Sequence, residues 1–367
     1  MKRIIFTFAA IFLLSGLLVG CGSTTEEKGS GQQDQLKVYT SIYPLYDFAK
    51  RIGGDKIIVT NIIPPGAEPH DWEPTPQDVA QMSNADVLIL SGTGIEPWAD
   101  KVLSVIDQTK VTVVYGGQNI ELIDGVKHEH NEHQDGKEEH DHEQDAHKEG
   151  SHQEEPGKQQ EHDHDQDKDQ HKEDTHPQES GKQEEHGHDH GGKDPHVWLD
   201  PLNAKVMVDN ILTGLSKADE KNKSFYEANV ESYKKELDKL HEEYQSGLAQ
   251  TKIKEFVTSH AAFGYLAKRY GLTEIPVRGL SAEIEPSPAD MAAVVKLARE
   301  KNIKHIFFET LVSPKVSEAI ASELKAETLV LNPLEGLSDQ EMAGGQDYLS
   351  VMRQNLQNLK IALGATK

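Results

Sequence analysis

The chain holds a single cysteine, Cys21, among its 367 residues. That excludes an intrachain disulfide and any site built from several thiolates. It also lacks a comfortable membrane span. The one long apolar run, residues 4–19, is broken by Thr7, Ser15 and Gly16 and falls short of the ~20 residues that a spanning helix needs. No His-Glu-x-x-His helix is present to carry a hydrolytic zinc. Ser91-Gly92-Thr93-Gly94 lacks the Lys-Ser/Thr ending of a phosphate loop and reads as a strand-to-helix turn. Positive charge is scarce. Lys plus Arg number 38 against 62 Asp plus Glu, a net charge of −24, which argues against nucleic acid and for cations as partners. The deficit is local: residues 127–194 contribute 8 Lys, no Arg and 23 carboxylates. Residues 127–193 are also nearly devoid of apolar side chains. They cannot bury enough surface to offset their ordering entropy, so disorder is expected there.

What is present begins with an address. Lys2 and Arg3 precede the apolar run, which ends at Leu18-Val19-Gly20-Cys21. A basic start, a short apolar stretch and a small residue before cysteine fit a secretory signal over residues 1–20 that looks like a bacterial lipobox. On that reading Cys21 is lipidated and becomes the first mature residue, anchored to the outer face of the cell membrane. An uncleaved anchor with an incidental cysteine is the alternative. Residues 21–35 are polar and read as a flexible tether.

The acidic insert carries 14 of the 19 histidines, often as His-x-His: His128/His130, His140/His142, His162/His164 and His186/His188/His190. Neutral imidazole suits zinc, copper and nickel. Because ordering the chain costs entropy, several weak, exchangeable accessory metal sites are expected rather than one tight site. The plain alternative is a solubilising insert.

On either side of the insert an α/β pattern appears. Short runs rich in Val, Ile and Phe at 36–40, 57–63, 86–90 and 111–115, and again at 254–259, 274–277, 304–309 and 328–331, predict buried parallel strands. Helices are predicted over 43–51, 76–83, 97–106, 261–270, 288–301, 314–324 and 346–363. Asp200-Pro201 offers a helix start. Four strands before the insert and four after imply two similar lobes, each a mostly four-stranded parallel sheet flanked by helices. The lobes are expected over 36–126 with a return segment at 194–221, and over 251–367. Between them, 222–250 reads as one helix. Tyr226, Val230, Tyr233, Leu237, Leu240, Tyr244 and Leu248 recur at helical spacing along roughly 40 Å at about 1.5 Å per residue. Such a connector would limit opening to small tilts.

In open parallel sheets, ligands bind beyond the carboxyl ends of the strands. His70 follows the second run, His196 the fourth run and its insert, His260 the fifth and Glu335 the last. Three imidazoles and one carboxylate make a tetrahedral set that zinc accepts, while manganese prefers more oxygen donors. Asp71 and Asp200 are candidates to orient the imidazoles.

The phrases Pro-His-Asp-Trp-Glu-Pro-Thr-Pro (69–76), Asp-Pro-His-Val-Trp-Leu-Asp-Pro (194–201) and His-Ala-Ala-Phe-Gly-Tyr-Leu-Ala (260–267), with Gly-Thr-Gly-Ile-Glu-Pro-Trp (92–98) and the His-rich insert, resemble the zinc-specific solute-binding lipoproteins of metal ABC transporters (ZnuA/AdcA type, cluster A-I). The resemblance covers the chain from Leu36 onward. It implies two lobes joined by a rigid helix, with Zn(II) in the crevice held by His70, His196 and His260. Glu335 matches members whose fourth ligand is a carboxylate; in others water takes that place. Manganese-binding relatives tend to carry a carboxylate where this chain has His260. The implied function is a non-enzymatic, monomeric zinc receptor that delivers to a membrane permease.

Other residues read more plainly. His241 is expected on a helix surface, and His305 as a satisfied core or edge residue. Glu283 and Glu285 are expected to be loop charge. Trp72 and Trp198 could wall the site or simply pack. Three competing functions remain: a His-rich surface zinc buffer or adhesin, a manganese receptor, and a zinc hydrolase, which would need an open coordination position and a positioned base.

Overall fold

The computed structural model describes residues 35–125 and 192–365. Cys21 and the accessory histidines His128, His130, His140, His142, His162, His164, His186, His188 and His190 lie outside the described residues. Among the described residues no helix is long and apolar enough to cross a membrane.

Two parallel four-stranded sheets form the frame. The first contains β1 (Leu36–Thr40), β2 (Ile57–Asn61), β3 (Val87–Leu90) and β4 (Thr112–Tyr115), in the order β2-β1-β3-β4. The second contains β5 (Glu255–Thr258), β6 (Thr273–Pro276), β7 (His305–Phe308) and β8 (Glu327–Val330), in the order β6-β5-β7-β8. The two lobes therefore share one topology. β3, Val-Leu-Ile-Leu, is buried along its whole length because helices cover both faces.

The first lobe carries α1 (Tyr43–Gly53), α2 (Pro76–Ser83), α3 (Ala99–Leu103) and, after the insert, α4 (Pro201–Ala218). Asp200 caps α4 by accepting from Leu202 N–H, with proline next in line. The long helix α5 (Lys223–Leu248) follows. All seven residues of its predicted stripe are buried. It packs on α1 and α4 of the first lobe, and on α6 (Gly264–Tyr270) and α10 (Tyr348–Ala362) of the second. One hydrophobic cluster runs through this seam, from Val38 and Phe48 through Tyr233 and Tyr244 to Tyr348 and Leu359. The second lobe is completed by α7 (Pro288–Glu300), α8 (Lys315–Leu324) and the short α9 (Asp339–Ala343).

Three elements differ from expectation. The helix expected over 97–106 is only α3, five residues, with Trp98 at its start. α6 begins at Gly264 rather than 261, because residues 260–263 form the turn that displays His260. α9 was not expected. Five residues are too few for periodicity, although its Ser338–Glu341 capping box is legible.

Candidate metal centre

His70, His196, His260 and Glu335 converge between the lobes, with one donor atom from each lying within 4.8 Å of the others. All four are buried: His70 is 4 % exposed, Glu335 2 %, and His196 and His260 0 %. Glu335 Oε1 lies 3.2 Å from His70 Nε2, 2.8 Å from His196 Nε2 and 3.2 Å from His260 Nε2. The His196 and His70 Nε2 atoms are 3.2 Å apart, and those of His196 and His260 3.4 Å. The same ring nitrogen of each histidine thus faces one point.

Each donor is delivered by a loop at a strand's carboxyl end. His70 rides the loop between β2 and α2, which turns at Pro64–Ala67 and ends in the Thr75–Asp78 capping box of α2. Its backbone N–H donates to Glu68 Oε1 at 3.2 Å. His196 is gripped twice by Asp194, whose Oδ1 accepts from the His196 backbone N–H at 2.9 Å and from Nδ1 at 2.8 Å. His260 is gripped in the same way by Glu309, which follows β7: its backbone N–H donates to Oε1 at 3.1 Å and its Nδ1 to Oε2 at 2.7 Å. A carboxylate on Nδ1–H fixes the tautomer and leaves Nε2 free as a donor to a metal. Asp194 can approach only because residue 264 is glycine; a Cβ there would lie 2.7 Å from Asp194 Oδ2. Glu274 accepts from Thr258 Oγ1 and Phe263 N–H, bracing the turn that carries His260.

Electrostatics follow from burial and charge. Burial lowers the His70 imidazole by more than Glu335 raises it. For His196, burial is outweighed by the bonds to Asp194 and Glu335, and its pKa is pushed up to about 9. His260 is also raised well above the ordinary histidine range, because Glu309 and Glu335 together overcome burial. Burial alone would raise Glu335, but the three imidazoles, His260 foremost, hold its carboxyl well below the usual range. Burial, then repulsion from Glu335, pushes Glu68 up to about 8. Glu335 also lines a cavity of about 200 Å³ with Tyr43, Tyr46, Asn61, Pro64 and Leu337.

Residues 38–362 match the family described as zinc-uptake complex component A, periplasmic. The chain belongs to this family. It is 37% identical over 360 residues to the high-affinity zinc uptake system protein ZnuA of Bacillus subtilis (strain 168), covering 98% of this chain and 97% of that one. It is 36% identical over 337 residues to the zinc-binding protein AdcA of Streptococcus pyogenes serotype M3, covering 92% of this chain but 58% of that relative, which is therefore much the longer protein. The solved Zn(II)-bound ZnuA-like domain of Streptococcus pneumoniae AdcA aligns with a TM-score of 0.66 at 30% identity, over 90% of this chain and 99% of that one. The two-lobed α/β fold and the family resemblance read from the motifs both hold.

The supporting residues are not those expected. Asp71 is exposed. Asp200 is occupied as the cap of α4 and as the partner of Arg269, 2.7 Å from its Nε. Asp194 and Glu309 hold the imidazoles instead. Both carried a readable signal: Asp194 lies two residues before a histidine, and Glu309 directly follows a strand. Trp198 packs edge-on to His196 at 5.4 Å, whereas Trp72 packs against Trp98 at 5.5 Å. His241 is half-buried rather than on the surface, its Nδ1 3.1 Å from Tyr270 Oη. His305 has one nitrogen 3.6 Å from Glu327, while the other is buried without a hydrogen bond. Glu283 and Glu285 are exposed loop charge.

Proposed function

We propose that the protein is a zinc receptor. In this reading His70, His196, His260 and Glu335 hold one Zn(II) per chain outside the cytoplasmic membrane, and the loaded protein delivers it to an ABC permease. The donor geometry carries the reading. Five donor–donor separations of 2.8–3.4 Å compare with about 3.3 Å for the edge of a tetrahedron whose zinc bonds are ~2.0–2.1 Å long. Three nitrogens and one oxygen suit zinc better than manganese. A carboxylate in the fourth position leaves no coordination site for a reacting water, which favours a receptor over a hydrolase.

Cys21 carries the lipid that tethers this monomer to the membrane, and the histidines of residues 127–193 collect exchangeable zinc near the site. The test is a zinc titration with metal analysis on the chain from residue 22 onward, with and without residues 126–191. One tightly held zinc per chain is expected in both forms, lost in His260→Ala and not matched by manganese. If tight zinc vanishes with the tract, the protein is a His-rich buffer and the crevice reading fails.

A further inference from the structure

The two lobes touch at the metal centre through a contact that coordination does not explain. Trp198, two residues beyond His196, is wholly buried. Its indole Nε1–H donates to the carbonyl of Pro333 at 2.8 Å, and Pro333 lies two residues before Glu335. The carbonyl of Trp198 accepts from Tyr348 Oη–H at 2.6 Å, at the start of α10. One residue of the first lobe is thus bonded both to the loop carrying Glu335 and to the helix behind that loop.

The loop needs such a hold. Leu334, between Pro333 and Glu335, has φ +59°, in the left-handed region that a bulky L residue rarely enters. A conformation of this kind persists only where its surroundings enforce it. On one side the enforcement comes from Asn332, whose Oδ1 accepts from Leu334 N–H at 2.7 Å, and from Asn355 of α10, which exchanges two hydrogen bonds with the Asn332 backbone. On the side of the other lobe the Tyr43 backbone N–H donates to the Glu335 carbonyl at 3.4 Å, and the turn itself is held by the Trp198 indole. Losing that donor would leave the Pro333 carbonyl buried without its partner and give the turn freedom to relax. Glu335 Oε1 would then move away from His196 Nε2, its nearest neighbour in the cluster at 2.8 Å.

We propose that Trp198 is a positioning residue for the metal: its indole N–H holds the Pro333–Leu334 turn so that the carboxylate of one lobe reaches the histidine of the other. The proposal rests on the reading of Glu335 as a ligand. It makes the fourth ligand conditional on a bond between the lobes, so that any separation of the lobes begins to release zinc from the oxygen side.

The test uses the full chain loaded with zinc. Dissociation is followed by transfer to a chelator, and coordination by the visible spectrum of the cobalt(II) form. Trp198→Phe keeps the buried ring and removes only the donor. Zinc should leave about tenfold faster, the ratio expected for one buried hydrogen bond, and the cobalt spectrum should shift toward that of Glu335→Gln. In a Glu335→Gln background the same substitution should change the rate by less than about twofold, because the group it positions is already lost. Tyr348→Phe, which loosens Trp198 from behind, should act in the same direction and be silenced by Glu335→Gln in the same way; it decides the matter if Trp198→Phe does not fold. A wild-type rate and spectrum, or an undiminished effect in the Glu335→Gln background, would overturn the proposal. If Glu335→Gln itself leaves rate and spectrum unchanged, the ligand assignment fails first and the positioning role falls with it.

Discussion

The two lobes share one strand order but use it differently. In each sheet the order in which strands are added switches sides between the two central strands, β1 and β3 in the first lobe and β5 and β7 in the second. That point opens a crevice at the strands' carboxyl ends, where ligands of such sheets usually bind. In the second lobe the crevice is used as the rule predicts: His260 follows β5, Glu309 follows β7, and the two are bonded to each other. In the first lobe it is closed. Glu96, a buried carboxylate, accepts from Ser41 Oγ after β1 and from the Ser91 and Gly92 backbone N–H groups after β3. Gly92 sits there at φ +69°, a turn that suits glycine. The first lobe's histidines come instead from the loops after β2 and β4. A shared topology thus offers the same opening twice, and the side chain placed in it decides whether the opening binds or merely holds the lobe together.

The largest effect that probes this difference is that of pH. His196, pushed up to about 9, and His260, raised well above the ordinary histidine range by Glu309 and Glu335, both hold protons at neutral pH in the metal-free cluster. Zinc requires them neutral, so binding expels about two protons and each costs about tenfold in affinity per pH unit. Zinc affinity should therefore fall about 100-fold from pH 7.5 to 6.5 and recover on return, as measured by competition with a chelator of known pH dependence. A slope near zero would mean that the carboxylates do not hold the imidazoles charged. A smaller loss, roughly 10–100-fold, is expected for Glu309→Gln and for Asp194→Asn, each of which loosens one imidazole while leaving all four donors in place. Equal losses would make the two grips equivalent; a larger one for Glu309 would mark the second lobe's crevice as the dominant anchor. The smallest effect on zinc should come from Glu96→Ala. It leaves a buried hydroxyl and two N–H groups without an acceptor, so thermal unfolding should show a loss of about 1–3 kcal/mol in stability. Its zinc affinity should shift by less than about threefold, as expected for a substitution remote from the donors.

The four converging residues were legible because two independent signals agreed at each: a metal-competent side chain and a place just beyond a strand. Glu309 satisfied the same rule and was missed, because an acidic residue after a strand is indistinguishable from loop charge until its partner is seen. Asp200 is a sequence neighbour of His196, yet the helix cap that Asp200-Pro201 spells out, together with Arg269, leaves it no freedom to serve the site. The strands followed from short apolar runs, which sheets covered on both faces display, and the long stripe of α5 from its helical period. The unwound start of α6 did not, since His-Ala-Ala-Phe reads as good helix and only Glu274 and Glu309 show why it turns. Trp198 carried no polar signal at all; its importance lies in one N–H whose acceptor is 135 residues away.

Asp124 and Lys193 form an isolated antiparallel bridge, and Gly125 N–H donates to the carbonyl of Gly192 at 2.7 Å. The described chain therefore leaves the first lobe at residue 125 and re-enters it at residue 192 side by side. An interval entered and left at adjacent points can be lengthened, shortened or rewritten over a lineage without moving the strands and helices on either side of it.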